Sequence, residues 1–261
     1  MGLVELPAGR HAWRFDSLLQ FPQLAHTFSL RTATGGGNIS LSGSRDQESA
    51  RDERRACCQQ LGVVPEDLVV GGQVHAADVE LVDDRHRGRG SLAADSVIPA
   101  CDGLLPITPN LPLMCAVGDC AAILLFVPGD SPGLAVLHAG WRGLVAEIIP
   151  RGVSALCVAT SSTPDMVHAG ISPCISWDSF QVGSEVAEHA PASCRRRWPQ
   201  AVDKWAVHLA GWSQHQLQNS GVRTSQIEVA ELDSFTARGH CFSHRRQGIE
   251  AGRMGLFASL R

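Results

Sequence analysis

Short apolar runs, cut by proline, glycine and aspartate, fill the middle third of the chain at residues 103–108, 111–117, 121–127 and 134–137. Runs of that length and punctuation predict buried strands, so a sheet core lies here. Residues 68–70 and 79–82 predict two further strands, with Gly71-Gly72-Gln73-Val74-His75 between them and a polar loop over 85–90 after them. The first thirty residues show no long period, and the stretch 32–38, with Gly35-Gly36-Gly37 at its centre, punctuates as a loop. Residues 45–61 alternate acidic and basic side chains around Ala50, Ala56, Cys57 and Leu61, the pattern of an exposed helix closed by Gly62. Leu144, Val145, Ile148, Ile149 and Val153 fall at helical spacing, with Pro150 set to kink or end the first segment. Beyond them, 166–171 predicts a strand, 178–190 and 205–220 predict helices, and 227–229 a last short strand. The glycine-flanked basic stretch from Phe242 to Arg253 predicts a solvated terminal segment, with closure over an anionic ligand as its alternative. No internal repeat or long linker interrupts the chain, and the expectation is one α+β domain over 1–261.

Composition narrows the function classes. A 44% hydrophobic, 18% charged chain of 261 residues has material for a sizeable core, which excludes a disordered tail. With 22 basic against 26 acidic residues and no basic run longer than Arg195-Arg196-Arg197, there is no footprint for a nucleic-acid polymer. No apolar stretch approaches the roughly 18–20 residues of a membrane span, and Arg10, His11, Arg14 and Asp16 sit where a signal peptide needs an apolar run. A cytoplasmic protein with no membrane partner is expected, a monomer or weak homo-oligomer. The nine cysteines, an odd count spread from Cys57 to Cys241, predict reduced thiols. Lys204 is the one lysine and tyrosine is absent, which leaves little room for Schiff-base or tyrosine acid–base chemistry.

Chemistry concentrates at strand ends. His75, Cys120 and His138 each close or open a predicted strand, and two imidazoles with one thiolate suit zinc, with a fourth tetrahedral position left open for water or substrate. Singly, each residue has an ordinary reading, as a hydrogen-bonded histidine or a small buried cysteine. Cys120 activated by His138 as a nucleophile is the rival on the same residues. In His138-Ala139-Gly140-Trp141-Arg142-Gly143 an apolar strand turns directly into a helix, so that first-turn amides and the Arg142 guanidinium make an anion site; the alternative packs Trp141 in the core and leaves Arg142 solvated. Asp119 is placed to hydrogen-bond a ligand histidine or a ribose, or to cap a turn. The nucleobase-deaminase signature is absent, because Ala76-Ala77 follow His75 and Ile175-Ser176-Trp177 follow Cys174. A serine hydrolase is poorly supported, and no Walker phosphate loop occurs.

Gln73-Val74-His75, Asp102-Gly103-Leu104 with Thr108, Gly118-Asp119-Cys120, His138 to Gly143, Ser172-Pro173-Cys174 and Ser243-His244-Arg245-Arg246 together resemble the YfiH / laccase-domain family of purine nucleoside phosphorylases, over nearly the whole chain. Phe28-Ser29-Leu30-Arg31 with Gly35-Gly36, and Val182 to Val186, are weaker matches. The resemblance implies an α+β fold of mixed β-sheets flanked by helices, once likened to a bacterial cytotoxic necrotising factor. It further implies a zinc enzyme that phosphorolyses adenosine, inosine and 5'-methylthioadenosine and deaminates adenosine. It places the metal and catalysis on His75, Cys120 and His138, and puts Arg142, Asp119, Ser29 and Arg31 against nucleoside and phosphate. The family's older label of polyphenol oxidase or laccase keeps copper as the alternative metal. The alternative activities are a copper-dependent phenol oxidase and a zinc- or cysteine-dependent amidase on a cell-wall precursor; a single two-histidine site speaks against a multicopper array. A closed four-ligand zinc module would need His168, Cys174 or His244 as an extra ligand. The chain departs from the family pattern at Ile175-Ser176, His244 and Ser234-Phe235, around the pocket, and leaves the three ligands in place.

Overall fold

The apolar runs do form strands, and the computed structural model, which describes residues 2–32, 34–42 and 46–261, shows how they are stacked. Ala33 of the expected loop and Arg45 of the expected helix lie outside the described residues. In chain order the strands are β1 (Leu3–Leu6), β2 (Arg10–Trp13), β3 (Leu24–Ser29), β4 (Val69–Val70), β5 (Val79–Val82), β6 (Gly103–Pro106), β7 (Leu113–Val117) and β8 (Ala121–Val127). They continue with β9 (Gly133–Ala139), β10 (His168–Ile171), β11 (Gln181–Val182), β12 (Arg195–Arg197), β13 (Trp205–Val207), β14 (Ile227–Val229) and β15 (Met254–Leu260). The helices are α1 (Gln47–Leu61), α2 (Trp141–Val145), α3 (Ile148–Thr160), α4 (Ser184–Ala187), α5 (Leu209–Asn219) and α6 (His244–Gln247).

Two six-stranded mixed sheets, ordered β1-β2-β3-β15-β7-β4 and β14-β10-β8-β9-β6-β5, carry the core, and β11-β13-β12 form a small third sheet. Side-chain alternation along β8 gives the layering. Ala122, Leu124 and Phe126 pack toward Phe28, Leu113, Cys115 and Leu256 of the first sheet. Ala121, Ile123, Leu125 and Val127 turn the other way, into a core shared with Ile149, Val153 and Leu156 of α3 and Leu217 of α5. A strand buried on both faces has no polar side to display, which is why these segments read as continuous apolar runs. On the outer face of the first sheet, α1 packs Cys57, Cys58 and Leu61 against Met114 and Phe257. Asp46 caps α1 by accepting from the Glu48 and Ser49 amides at 3.1 Å, and Gly62 closes it at φ 74°. The order of layers is helix, sheet, sheet, helices.

Several expectations are corrected. Residues 178–190 are not a helix: β11 pairs Val182 with Trp205, and extended Gly183 separates it from the single turn of α4. The helix expected from Trp205 begins at Leu209, because Trp205–Val207, a strand-favouring trio, is held between β11 and β12. Pro150 acts one turn earlier than expected. Its ring would meet the Ala146 carbonyl in a continuous helix, so the chain breaks at Glu147 (φ 63°) and Pro150 falls in the first turn of α3. The first thirty residues hold three strands too short, or in β3 too uniformly buried, to show a period. The expected solvated tail instead ends in β15, buried at all seven positions and inserted between β3 and β7.

Candidate metal centre

Cys120 directly precedes β8 and His138 lies near the end of β9, in the antiparallel ladder that pairs Ala122 with His138 and Ala121 with Ala139. Continuing that register sets Gly140 opposite Cys120. A Cβ on Gly140 would lie 2.9 Å from Cys120 Sγ and 3.1 Å from the His75 ring, so glycine is required for the two side chains to occupy that space. His75 arrives on the segment between β4 and β5, in the left-handed region at φ 63°, a conformation that costs a non-glycine residue about 1–2 kcal/mol. Asp102 holds it there. Its carboxylate accepts from the amides of Val74 (3.1 Å), His75 (3.0 Å) and Ala76 (2.8 Å), and at 2.7 Å from His138 Nδ1. One buried carboxylate therefore fixes both the His75 turn and the His138 ring, and leaves His138 Nε2 to face the cluster.

The donor atoms of His75, Cys120 and His138 all lie within 4.8 Å of one another, and the two imidazoles meet edge to face at 4.7 Å. Burial alone would push the Cys120 thiol up, but the adjacent His138 and His75 overcome this and bring it to about 6. Burial alone would pull His138 down, and Cys120 and Asp102 reverse that, raising it to about 9. Asp102 is held below the usual carboxylate range, the hydrogen bonds from His138 and the turn amides outweighing burial. The cluster is thus preset as a thiolate beside a protonated imidazole, and a metal ion bound there would meet a thiolate already in its binding form and would displace the proton from His138 Nε2 to solvent. The donor set, the orienting carboxylate and the glycine clearance all fit a zinc-type site. Among the described residues no fourth ligand joins the group. His168 instead meets Phe21 and Gln226, and Cys174 is buried in the helix-side core.

The cluster lies in a cavity of about 690 Å³. Trp141, Ile175, Phe180 and Leu209 give it an apolar wall, while Arg54, Arg142, His244, Arg245 and Arg253 give it a polar one. A family model described as multi-copper polyphenol oxidoreductase laccase matches residues 28–261. The chain belongs to that family. A purine nucleoside phosphorylase of Bacteroides thetaiotaomicron is 26% identical, with 97% of each chain covered. The adenosine deaminase RL5, from an unknown prokaryotic organism, is 30% identical over 85% of this chain and 86% of its own. The crystal structure of YlmD from Geobacillus stearothermophilus superposes with a TM-score of 0.89 at 24% identity, covering 100% of this chain and 99% of that one. The resemblance to the YfiH family, and the α+β fold expected with it, are borne out.

Within this family frame the expected site residues divide. His75, Cys120 and His138 converge. Arg142 is exposed at the cavity wall and stacks on its own neighbour, with its guanidinium 4.3 Å from the Trp141 ring, and α2 behind it is only five residues long. Asp119 (φ 89°) lines the cavity but does not touch a ligand histidine: it accepts from Ser234 Oγ and the Arg245 amide, both at 2.6 Å. It therefore anchors the start of α6. Ser29 lies apart from the cluster: its Oγ receives the Gly255 amide at 2.9 Å and it lines a separate cavity under α1. Arg31 also falls outside the metal-site cavity, bonded to the Gly35 and Arg238 carbonyls and stacked on Phe242. The stretch expected to be solvated supplies His244, Arg245 and Arg253 to the cavity wall. Gly129-Asp130-Ser131-Pro132-Gly133 has the spacing of a serine nucleophile elbow, but it joins β8 to β9 and no helix follows it. The residue that sequence reading missed is Asp102: it was legible as part of a motif, but its partners lie 26 to 36 residues away.

Proposed function

We propose that the chain is, over residues 1–261, one catalytic domain that binds zinc on His75, Cys120 and His138, cleaves purine nucleosides with phosphate, and deaminates adenosine with water. The observation that carries this reading is the three-ligand cluster, tied together by Asp102, in a cavity with one aromatic and one cationic wall. When bound, zinc supplies Lewis acidity at the centre of that cavity. Trp141, Phe180, Ile175 and Leu209 offer flat apolar surface to a purine. Arg142 and Arg245 give the cavity a positive rim that draws an anion inward. Asp102 keeps the His138 ring in one tautomer and orientation through the reaction. The names of the curated relatives support the phosphorylase and deaminase activities, and adenosine, inosine and 5'-methylthioadenosine are the substrates we propose. Nine free thiols suit a reducing compartment, which favours the cytoplasm. Among the described residues no helix is long and apolar enough to cross a membrane.

A second reading has one observation in its favour: Cys120, His138 and Asp102 also form a thiolate–imidazole–carboxylate line suited to attack on an amide. Such a line has no use for His75, which favours the metal. The decisive experiment combines metal analysis of purified protein with chromatography of adenosine incubated with and without phosphate. About one zinc per chain is expected, with adenine and ribose 1-phosphate formed only with phosphate, and inosine formed in both. A zinc-loaded protein that releases no base from any of the three nucleosides refutes the reading.

A further inference from the structure

Arg54, in the middle of α1, is the only buried arginine or lysine among the described residues, at 5% exposure, and no step above makes use of it. Its side chain lines the metal-site cavity. Its Nε donates to the Ile39 carbonyl at 2.8 Å, and its Nη1 donates to the Gly90 and Ser91 carbonyls, both at 2.6 Å. Among the described residues Nη2 has no hydrogen-bond partner, and it keeps some accessible surface. Every partner is a neutral carbonyl, and among the described residues no carboxylate pairs with the guanidinium. Burial lowers its pKa, to about 10, so it remains a cation at neutral pH.

A buried charge without a counter-charge is costly, and carbonyl dipoles offset only part of that cost. Tying three carbonyls together uses three N–H donors and calls for no positive charge. The surplus is the charge itself, together with the two N–H groups of Nη2, which are free to donate to an anion. The rest of the cavity has the same sign. Arg142, Arg245 and Arg253 line it, and its one carboxylate besides the metal cluster, Asp119, has both oxygens taken by Ser234 and the Arg245 amide.

We propose that Arg54 is the anchor for inorganic phosphate in this cavity, receiving it on the two N–H groups of Nη2 and taking from it the counter-charge the protein does not provide. The identity of the anion rests on the phosphorylase reading; the charge argument does not.

The test is titration calorimetry with inorganic phosphate alone, and separately with inosine in the absence of phosphate, on the zinc-loaded wild type, Arg54→Gln and Arg54→Lys. The expected result is phosphate affinity at least tenfold weaker in Arg54→Gln and about threefold weaker in Arg54→Lys, with inosine affinity within twofold of wild type. A folded Arg54→Gln protein with unchanged phosphate affinity overturns the proposal. So does a parallel loss of phosphate and inosine, which would make Arg54 a purely structural tie. If neither variant folds, wild-type crystals grown with selenate replace them: an anion within hydrogen-bond distance of Arg54 supports the assignment, and an anion elsewhere, or none, overturns it. Phosphate bound at Arg54 in a protein that cleaves no nucleoside would refute the phosphorylase reading while leaving this one standing.

Discussion

A single carboxylate ties the candidate metal site together. Asp102 accepts three amides and one ring nitrogen, and asparagine in its place would turn an amide donor toward some of those donors. Asp102→Asn is expected to weaken zinc binding by about 10- to 100-fold while the far-ultraviolet spectrum is unchanged. Competition with a chromophoric chelator measures this, and unchanged affinity would remove Asp102 from the site. A second residue sets a pH dependence of stability. Burial pulls the pKa of His26 down to about 4, with Arg14 adding to the shift, and its Nε2 accepts the Phe15 amide, so it folds as the neutral ring. The unfolded chain takes up a proton near pH 6.5 that the native state refuses until about 4. Its contribution is therefore complete above pH 6.5 and declines as pH falls toward 4, by about 2 kcal/mol at pH 5. Urea denaturation at pH 7.5 and 5.0 should show that difference shrinking in His26→Gln, and an equal difference in both proteins would contradict it. The candidate ligands were legible because Cys120 and His138 flank apolar runs and His75 sits in a short segment between two of them. Asp102 was legible only as part of a motif, because its role exists only where the start of β6 meets the His75 turn and β9. Ser29 and Arg31 share a local motif, but their side chains are engaged away from the cluster, with the Gly255 amide and the Arg238 carbonyl.

Between residues and fold stand the elements that present the site, and the β8–β9 hairpin is the main one. Its register brings Cys120 and His138 to one end of the second sheet and makes Gly140 the gap that Cys120 shares with His75. Gly140→Ala inserts a methyl group 2.9 Å from Cys120 Sγ. The expected outcome is a protein that melts within a few degrees of wild type but loses most of its zinc, checked by metal analysis beside calorimetry. Full occupancy would mean that the turn before α2 can shift. At this scale legibility follows burial. β8 and β9, apolar at nearly every position, were read nearly to their ends. β11, β12 and β13 are two or three residues long, too short for either period, and two of them were absorbed into expected helices.

At the scale of the whole molecule, the strand latest in sequence holds the centre of the first sheet. β15 pairs with β3 on one side and β7 on the other, and Met254, Leu256, Phe257 and Leu260 are all buried. Burying four such side chains contributes about 6–12 kcal/mol, comparable with the roughly 5–15 kcal/mol by which a whole domain is stable. A chain ending at Arg253 is accordingly expected to show no cooperative thermal transition, and a sharp calorimetric peak would refute this. The strand was hard to read because it follows a polar, arginine-bearing stretch that resembles a trailing end. Its position also orders events during synthesis. The ribosome releases β1–β3 early and β7 somewhat later, but these halves of the sheet have no shared edge until β15 emerges to join them. Until then the facing edges of β3 and β7 have no strand between them, so this sheet closes only once its central strand has been made.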